Sequence, residues 1–200
     1  MESIKNFIQS NWLKLSVAIS KFSAKIHMPY SRKKITGKHY YSAIQYLEPG
    51  IVMATRTDGE LSNLGIPGFW SHIAIVTSNG SVIEATTHGV VETDLVSFFM
   101  NKDHIIALKP RFATREQRNK AVNLCLQQIG KPYDFEFASS DIKAFYCSEL
   151  VTWAYNQACP DFPFKTRSVL GRDTVIPSDF PDAKAKWMPV WASNSSVVHK

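Results

Sequence analysis

From Ile51 to Lys109 the chain is a succession of short runs rich in β-branched residues, and beyond Thr114 its apolar period becomes that of a helix. This switch constrains the fold more than any other feature. The runs are Ile51 to Thr57, His72 to Thr77, Val82 to Thr86 and His104 to Lys109, each bounded by Gly, Asn, Asp or Pro. A short helix over about Tyr40 to Tyr46 precedes them and ends at Pro49-Gly50, and Leu95 to Met100 reads as a helical turn or short helix. Thr114 followed by Gln117 makes a capping box, Ala121, Cys125 and Ile129 mark one face, and Gly130 supplies the stop. A second helix is expected from Cys147 to Ala158, then a proline-punctuated loop and a terminal strand around Lys186 to Trp191. Strands followed by separate helices predict an α+β domain rather than a parallel βαβ sheet.

A chain of 200 residues with 44% hydrophobic and 20% charged residues can bury one substantial core. One compact domain over 37–200 with an appendage over 1–36 is therefore expected. In the appendage, Ile4, Phe7, Ile8, Trp12, Leu15, Ile19, Phe22 and Ile26 recur at helical spacing, with Lys5, Gln9, Lys14, Lys21 and Lys25 on the other side. Lys14 interrupts the apolar run well short of the roughly 18 to 20 residues that cross a bilayer, and no clean apolar region with a small-residue cleavage site follows. The helix either docks on the domain's own core or lies on an anionic membrane surface, so a cytoplasmic or membrane-peripheral location is expected. A net charge of +6 would draw the chain toward anionic surfaces. No RNA-binding fingerprint, helix-turn-helix pattern or zinc-finger spacing accompanies it, and nucleic acid is not an expected partner. Cys125, Cys147 and Cys159 are three cysteines without C-x-x-C spacing, which predicts neither a disulfide framework nor a zinc site, and neither metal nor cofactor is expected. Cys125 reads as a small buried hydrophobe and Cys159 as incidental to a helix end.

Chemistry concentrates in two segments, FWSHIAIVTSNGSVIEA and GKPYDFEFASSDIKAFYCSELVTWAY. The first is a hairpin carrying His72 and Glu84, and its turn decides whether the two can cooperate. A two-residue Asn79-Gly80 turn would place Glu84 opposite Ile75, on the far face from His72. A three-residue Ser78-Asn79-Gly80 loop with left-handed Gly80 places Glu84 opposite Ala74, diagonal to His72 on one face. The second register is expected, because a carboxylate then fixes the imidazole tautomer and leaves the other ring nitrogen for a thiol. The second segment delivers Cys147 onto the first turn of a helix, where the macrodipole and a nearby imidazole favour thiolate. Ser148 is a rival nucleophile but is more simply a helix-terminus residue, and Glu149 complements the helix dipole. Upstream of His72, the loop GELSNLGIPGFW is a candidate wall of a cleft.

HIAIVTSNGSVIEA resembles the histidine hairpin of the NlpC-type cysteine peptidases, and GKPYDFEF with FYCSELVTWAY resembles their G-x-P-Y and D-C-S-G-L-V segments. Here the histidine segment precedes the cysteine segment. That reversed order, with the strings TRT, IPGFWSH and YCSELV, is similar to the circularly permuted papain-like branch that includes the YiiX-like proteins and, more distantly, lecithin retinol acyltransferase relatives. The resemblance spans about Glu48 to Tyr155, with a weaker part near Ile176 to Asp179. It implies a permuted papain-like fold, an antiparallel sheet packed against helices. It also implies Cys147 as nucleophile, His72 as base and Glu84 as orienting group, with Tyr133 near the oxyanion and Trp70, Ser71 and Glu149 at the oxyanion or substrate pocket. Glu84 stands where many members have His, and Glu149 replaces a small residue, so pocket polarity is expected to differ. The implied activity is a cysteine amidase or peptidase acting on a small amide or peptide of the cell-wall kind. A lipid-directed acyltransferase or thioesterase and an idle binding module are the alternatives.

Overall fold

The structure is a computed structural model and describes residues 34–60, 63, 66–135, 142–164, 166–169 and 172–194. The amphipathic stripe and basic linker of residues 1–33 lie outside the described residues, as does part of the loop before Gly68. The elements in chain order are α1 (Gly37–Ala43) running into a 3-10 turn (Ile44–Tyr46), β1 (Val52–Arg56), β2 (His72–Val76), β3 (Ser81–Thr86), β4 (Gly89–Asp94) and α2 (Leu95–Met100). They continue with β5 (His104–Pro110), α3 (Arg115–Leu126), α4 (Cys147–Ala158), β6 (Arg167–Val169), β7 (Arg172–Thr174), α5 (Asp179–Asp182) and β8 (Trp187–Ala192).

Six strands form one sheet in the order β4-β3-β2-β1-β5-β8, antiparallel at every step, and β6 with β7 forms a separate hairpin. Period-two alternation splits the central strands between two cores. Val52, Ala54, Ile73, Ile75, Ile83, Ile106 and Leu108 face Ala121 and Cys125 of α3 and Leu150, Val151 and Ala154 of α4. Met53, Ala74, Val76, Val82, Ile105 and Ala107 face Ala43 of α1 and Phe98 and Phe99 of α2. Cys125 is fully buried in the first core, in keeping with its reading as a small hydrophobe, and Cys159 at the end of α4 joins it.

Local chemistry explains the boundaries. Asp94 caps α2, its carboxylate accepting from the Ser97 amide at 2.9 Å, and Thr114 with Gln117 forms the reciprocal box at the start of α3. Five elements depart from expectation. Helix α1 starts at Gly37 rather than near Tyr40. Strand β4 completes the sheet edge where no strand was expected, and the β6–β7 hairpin and α5 occupy a stretch read as loop.

Candidate active site

The β2–β3 turn takes the three-residue form. Thr77 donates its amide to the Ser81 carbonyl at 2.9 Å, Gly80 has φ +72, and Ala74 pairs with Glu84. His72 and Glu84 therefore share a face, and His72 Nε2 lies 2.6 Å from Glu84 Oε2. Glu84 is held from its other oxygen by Thr93 Oγ1 of β4, donating at 2.7 Å. Their side chains are 18% and 8% exposed, so this ion pair sits largely out of water, where charge interactions are strong.

With Nε2 on the carboxylate, Nδ1 is the ring nitrogen left for Cys147, to which His72 is hydrogen-bonded. The ladder between β2 and β3 ends at Ala74 and Glu84, and the amide of Ile73, one residue further, hydrogen-bonds the Cys147 sulfur together with the amide of Ser148. Burial alone would raise the Cys147 thiol; the hydrogen bond and positive charge of His72, with those two amides, outweigh it and hold its pKa below the ordinary value. Burial would likewise depress His72, but its hydrogen bonds to Cys147 and Glu84 raise it to about 9. Burial would raise Glu84, but the hydrogen bond and charge of His72 lower it to about 2. All three shifts favour one arrangement: thiolate, imidazolium, carboxylate.

Cys147 reaches this place because its helix is anchored on both sides. The strip before it pairs with the Tyr133 segment, Phe145 donating to the Pro132 carbonyl and Asp134 to the Phe145 carbonyl, both at 3.1 Å. Glu149 accepts from the Tyr146 amide at 3.3 Å, closing the first turn of α4. Ser148 Oγ donates to the Val175 carbonyl at 2.6 Å, which gives that hydroxyl a structural role. Tyr133 is near enough to Cys147 that, after burial, the thiolate charge is the next cause pushing its phenol upward, so it remains a protonated donor.

The remaining expected pocket residues, Trp70, Ser71 and Glu149, are all buried. Trp70 is 1% exposed and its ring packs in the first core. Ser71 is buried with its amide donating to the Thr55 carbonyl at 3.0 Å. Glu149 is a helix-capping group, for the reason given above. Three residues near the site were not expected. Thr93 lies on the unforeseen β4, whose sequence signal is no more than the pair Val90 and Val91 after the Gly89 turn. Lys102, between α2 and β5, opposes charge on His72 and favours the ionised Glu84. Ser178 touches the loop before His72 and has no local sequence signal beyond the weak resemblance at Ile176 to Asp179.

Among the described residues no group of three or more His, Cys, Asp or Glu side chains is placed to hold a metal ion, and no helix is long and apolar enough to cross a membrane.

Comparison with known proteins identifies the fold and the family. A family model described as permuted papain-like amidase enzyme, YaeF/YiiX, C92 family, matches residues 46–199. Among solved structures, that of metalloprotein yiiX from Escherichia coli O157:H7 is similar in fold, with a TM-score of 0.58 and 19% identity, covering 72% of this chain and 96% of that one. No curated protein matches the chain.

Proposed function

The chain belongs to the YaeF/YiiX family of permuted papain-like amidases, and from that premise we propose that it is a cysteine amidase or peptidase working through Cys147, His72 and Glu84. The observation that carries the reading is the run of hydrogen bonds from Glu84 through His72 to Cys147, with each ionisation shifted toward thiolate and imidazolium. A nucleophile, a base and an orienting group are what acyl transfer at sulfur requires.

The thiolate of Cys147 attacks the amide carbonyl carbon, forming a C–S bond and a tetrahedral oxyanion, for which the protonated phenol of Tyr133 is the donor. Imidazolium His72 gives its proton to the leaving nitrogen as the C–N bond breaks, and a thioester remains on Cys147. Neutral His72 then takes a proton from water, whose oxygen attacks the thioester; the C–S bond breaks, releasing acid and restoring thiolate and imidazolium. Glu84 stays ionised throughout, fixing the ring and stabilising its charged form. The similar E. coli protein is described as a metalloprotein. Here the imidazole of His72 is engaged by Glu84 and Cys147, and these three side chains are not placed as a group that could hold a metal ion, so this donor set does not fit one.

The proposed substrate is a small amide or peptide of the cell-wall kind, a reading supported by the resemblance of the histidine and cysteine segments to NlpC-type peptidases. Incubating the chain with an acyl-directed thiol probe and then with a panel of muropeptides tests it. Labelling at Cys147, lost in Cys147→Ser, with release of a free amine from one panel member, is the expected result. Absence of labelling at Cys147 in the folded protein would sink the proposal.

A further inference from the structure

His72 and Cys147 come from elements far apart in sequence, and one short stretch of chain touches the approach to both. On the cysteine side, Thr174 Oγ1 donates to Tyr146 Oη at 2.6 Å and the Val175 amide to the same oxygen at 3.3 Å. Ser148 Oγ returns a bond to the Val175 carbonyl at 2.6 Å. Of the two residues flanking Cys147, Tyr146 is thus fastened to residues 174 and 175 and Ser148 to residue 175. Three residues on, Ser178 Oγ accepts from the Trp70 amide at 3.0 Å, two positions before His72. Between these anchorages, Ile176 donates its amide to Asp179 Oδ2 at 2.8 Å and Asp179 donates its own to the Ile176 carbonyl at 3.0 Å, so the span is a closed turn.

The fit on the histidine side is tight. Gly68 has φ +90, and a Cβ built there would lie 2.3 Å from Ser178 Oγ. Only a glycine lets the loop wrap the hydroxyl this closely. Ser178 is buried, as is Trp70, so the Trp70 amide depends on this acceptor. The loop is fixed on either side of that bond by Arg56 Nη1, which donates to the Phe69 carbonyl at 2.6 Å, and by the Ser71 amide on β1.

We propose that residues 174–178 form a strap that sets the contact between sulfur and imidazole, with Ser178 as the positioning residue on the histidine side and Tyr146 as its counterpart on the cysteine side. The inference rests on reading Cys147 and His72 as the working pair. Neither Ser178 nor Tyr146 Oη touches the reacting atoms. Each acts through backbone: loss of the Ser178 acceptor frees the Trp70 amide, the loop leading into β2 relaxes, and the ring of His72 withdraws from the thiol.

The test needs no substrate. In the full chain, the rate of iodoacetamide alkylation at Cys147 is followed against pH by peptide mapping, alongside thermal unfolding. Ser178→Ala is expected to move the inflection of the Cys147 profile to higher pH and to slow alkylation at pH 7 by about tenfold. Ser178→Thr, which keeps the acceptor, should restore most of the rate. Tyr146→Phe should reproduce the shift from the other end and gives the reading should Ser178→Ala not fold. A lowered melting temperature with the wild-type alkylation profile in both variants would make the strap merely structural and overturn the proposal. An ordinary thiol profile for Cys147 in the unaltered protein would instead overturn the underlying reading of the site, and the strap with it.

Discussion

His72 is held between two groups that both favour its charged form, and this has consequences for pH that differ on the two sides of neutrality. Glu84, lowered to about 2, stabilises the fold fully above its unfolded value of 4.5, and that contribution is lost as pH falls toward about 2. His72, raised to about 9, contributes fully below its unfolded value of 6.5, and that contribution is lost as pH rises through about 9. Cys147, lowered from 9.0, has the opposite slope, its contribution growing as pH rises from its folded value toward 9.0. Where the folded Cys147 is ionised and the folded His72 protonated, folding gives His72 a proton and takes one from Cys147, so the two slopes oppose each other. The urea midpoint should therefore change less between pH 7 and 8.5 in the unaltered chain than in Cys147→Ser, and it falls below pH 4.5, and falls less in Glu84→Gln. An equal change from pH 7 to 8.5 in the two chains would mean the pair is not thiolate and imidazolium. The same geometry predicts that Cys147 is alkylated at pH 7 far faster than Cys125 or Cys159, whose thiols burial pushes up. His72→Ala should slow that alkylation, and in turnover Glu84→Gln should cost about 10² or more. Equal labelling of the three cysteines by mass spectrometry would count against an activated thiol. The residue types of this site were legible because hairpin parity and a helix start fix where His72, Glu84 and Cys147 point. The core packing of the Trp70 ring was not legible, because an aromatic next to a site residue in sequence can face either way.

The hairpin that carries the pair shows how much an element's function hangs on one turn. Side chains alternate with a period of two, so a one-residue slip in the pairing moves every side chain of one strand to the other face. Deleting Ser78 leaves Thr77 opposite Ser81 across a two-residue Asn79-Gly80 turn, so Glu84 stays opposite Ala74 on the face of His72; activity should be largely kept, and its loss while the strands still pair in amide exchange would show that the site depends on the three-residue loop itself. Gly80→Ala tests the backbone of the turn. A Cβ at Gly80 meets no atom within 4 Å, so only the left-handed backbone, φ +72, opposes it, at about 1 kcal/mol. A loss of activity in Gly80→Ala beyond what that destabilisation explains would show the register to be less firmly set than the pairing suggests. At this scale the central strands and both long helices were readable from period and capping. Strand β4 was not, since Gly89–Asp94 is an edge strand with exposed polar residues toward its end, and its apolar signal is only Val90 and Val91. The β6–β7 hairpin has three residues a side, too short for a period to register.

For the molecule as a whole, the sheet runs between two cores, one under α3 and α4 and the other under α1 and α2, and β2 with His72 at its start belongs to both. The permuted order, histidine strand before cysteine helix, was visible in the sequence because each segment keeps its own local pattern; the long-range bonds that bring them together, such as Ser178 to Trp70, leave no periodic trace. Where the described chain begins it is already fastened: the Lys34 amide donates to Asp103 at 3.1 Å, Lys34 Nζ pairs with Asp58 at 2.7 Å, and Ile35 is buried in the second core. Close by in sequence, Tyr41, Ile44 and Tyr46 are exposed on α1 and the turn after it. The preceding segment carries Ile8, Trp12, Leu15 and Ile19 at helical spacing, and these are expected to pack against such exposed apolar residues. Removing residues 1–33 is expected to lower solubility and increase binding of an apolar dye, because such a patch would be left uncovered. The alkylation profile of Cys147 should not change, since every residue of the proposed site lies downstream. Neither the full nor the shortened chain should sediment with anionic vesicles. Sedimentation of the full chain that is lost on truncation, with solubility intact, would assign the stripe to a membrane surface instead.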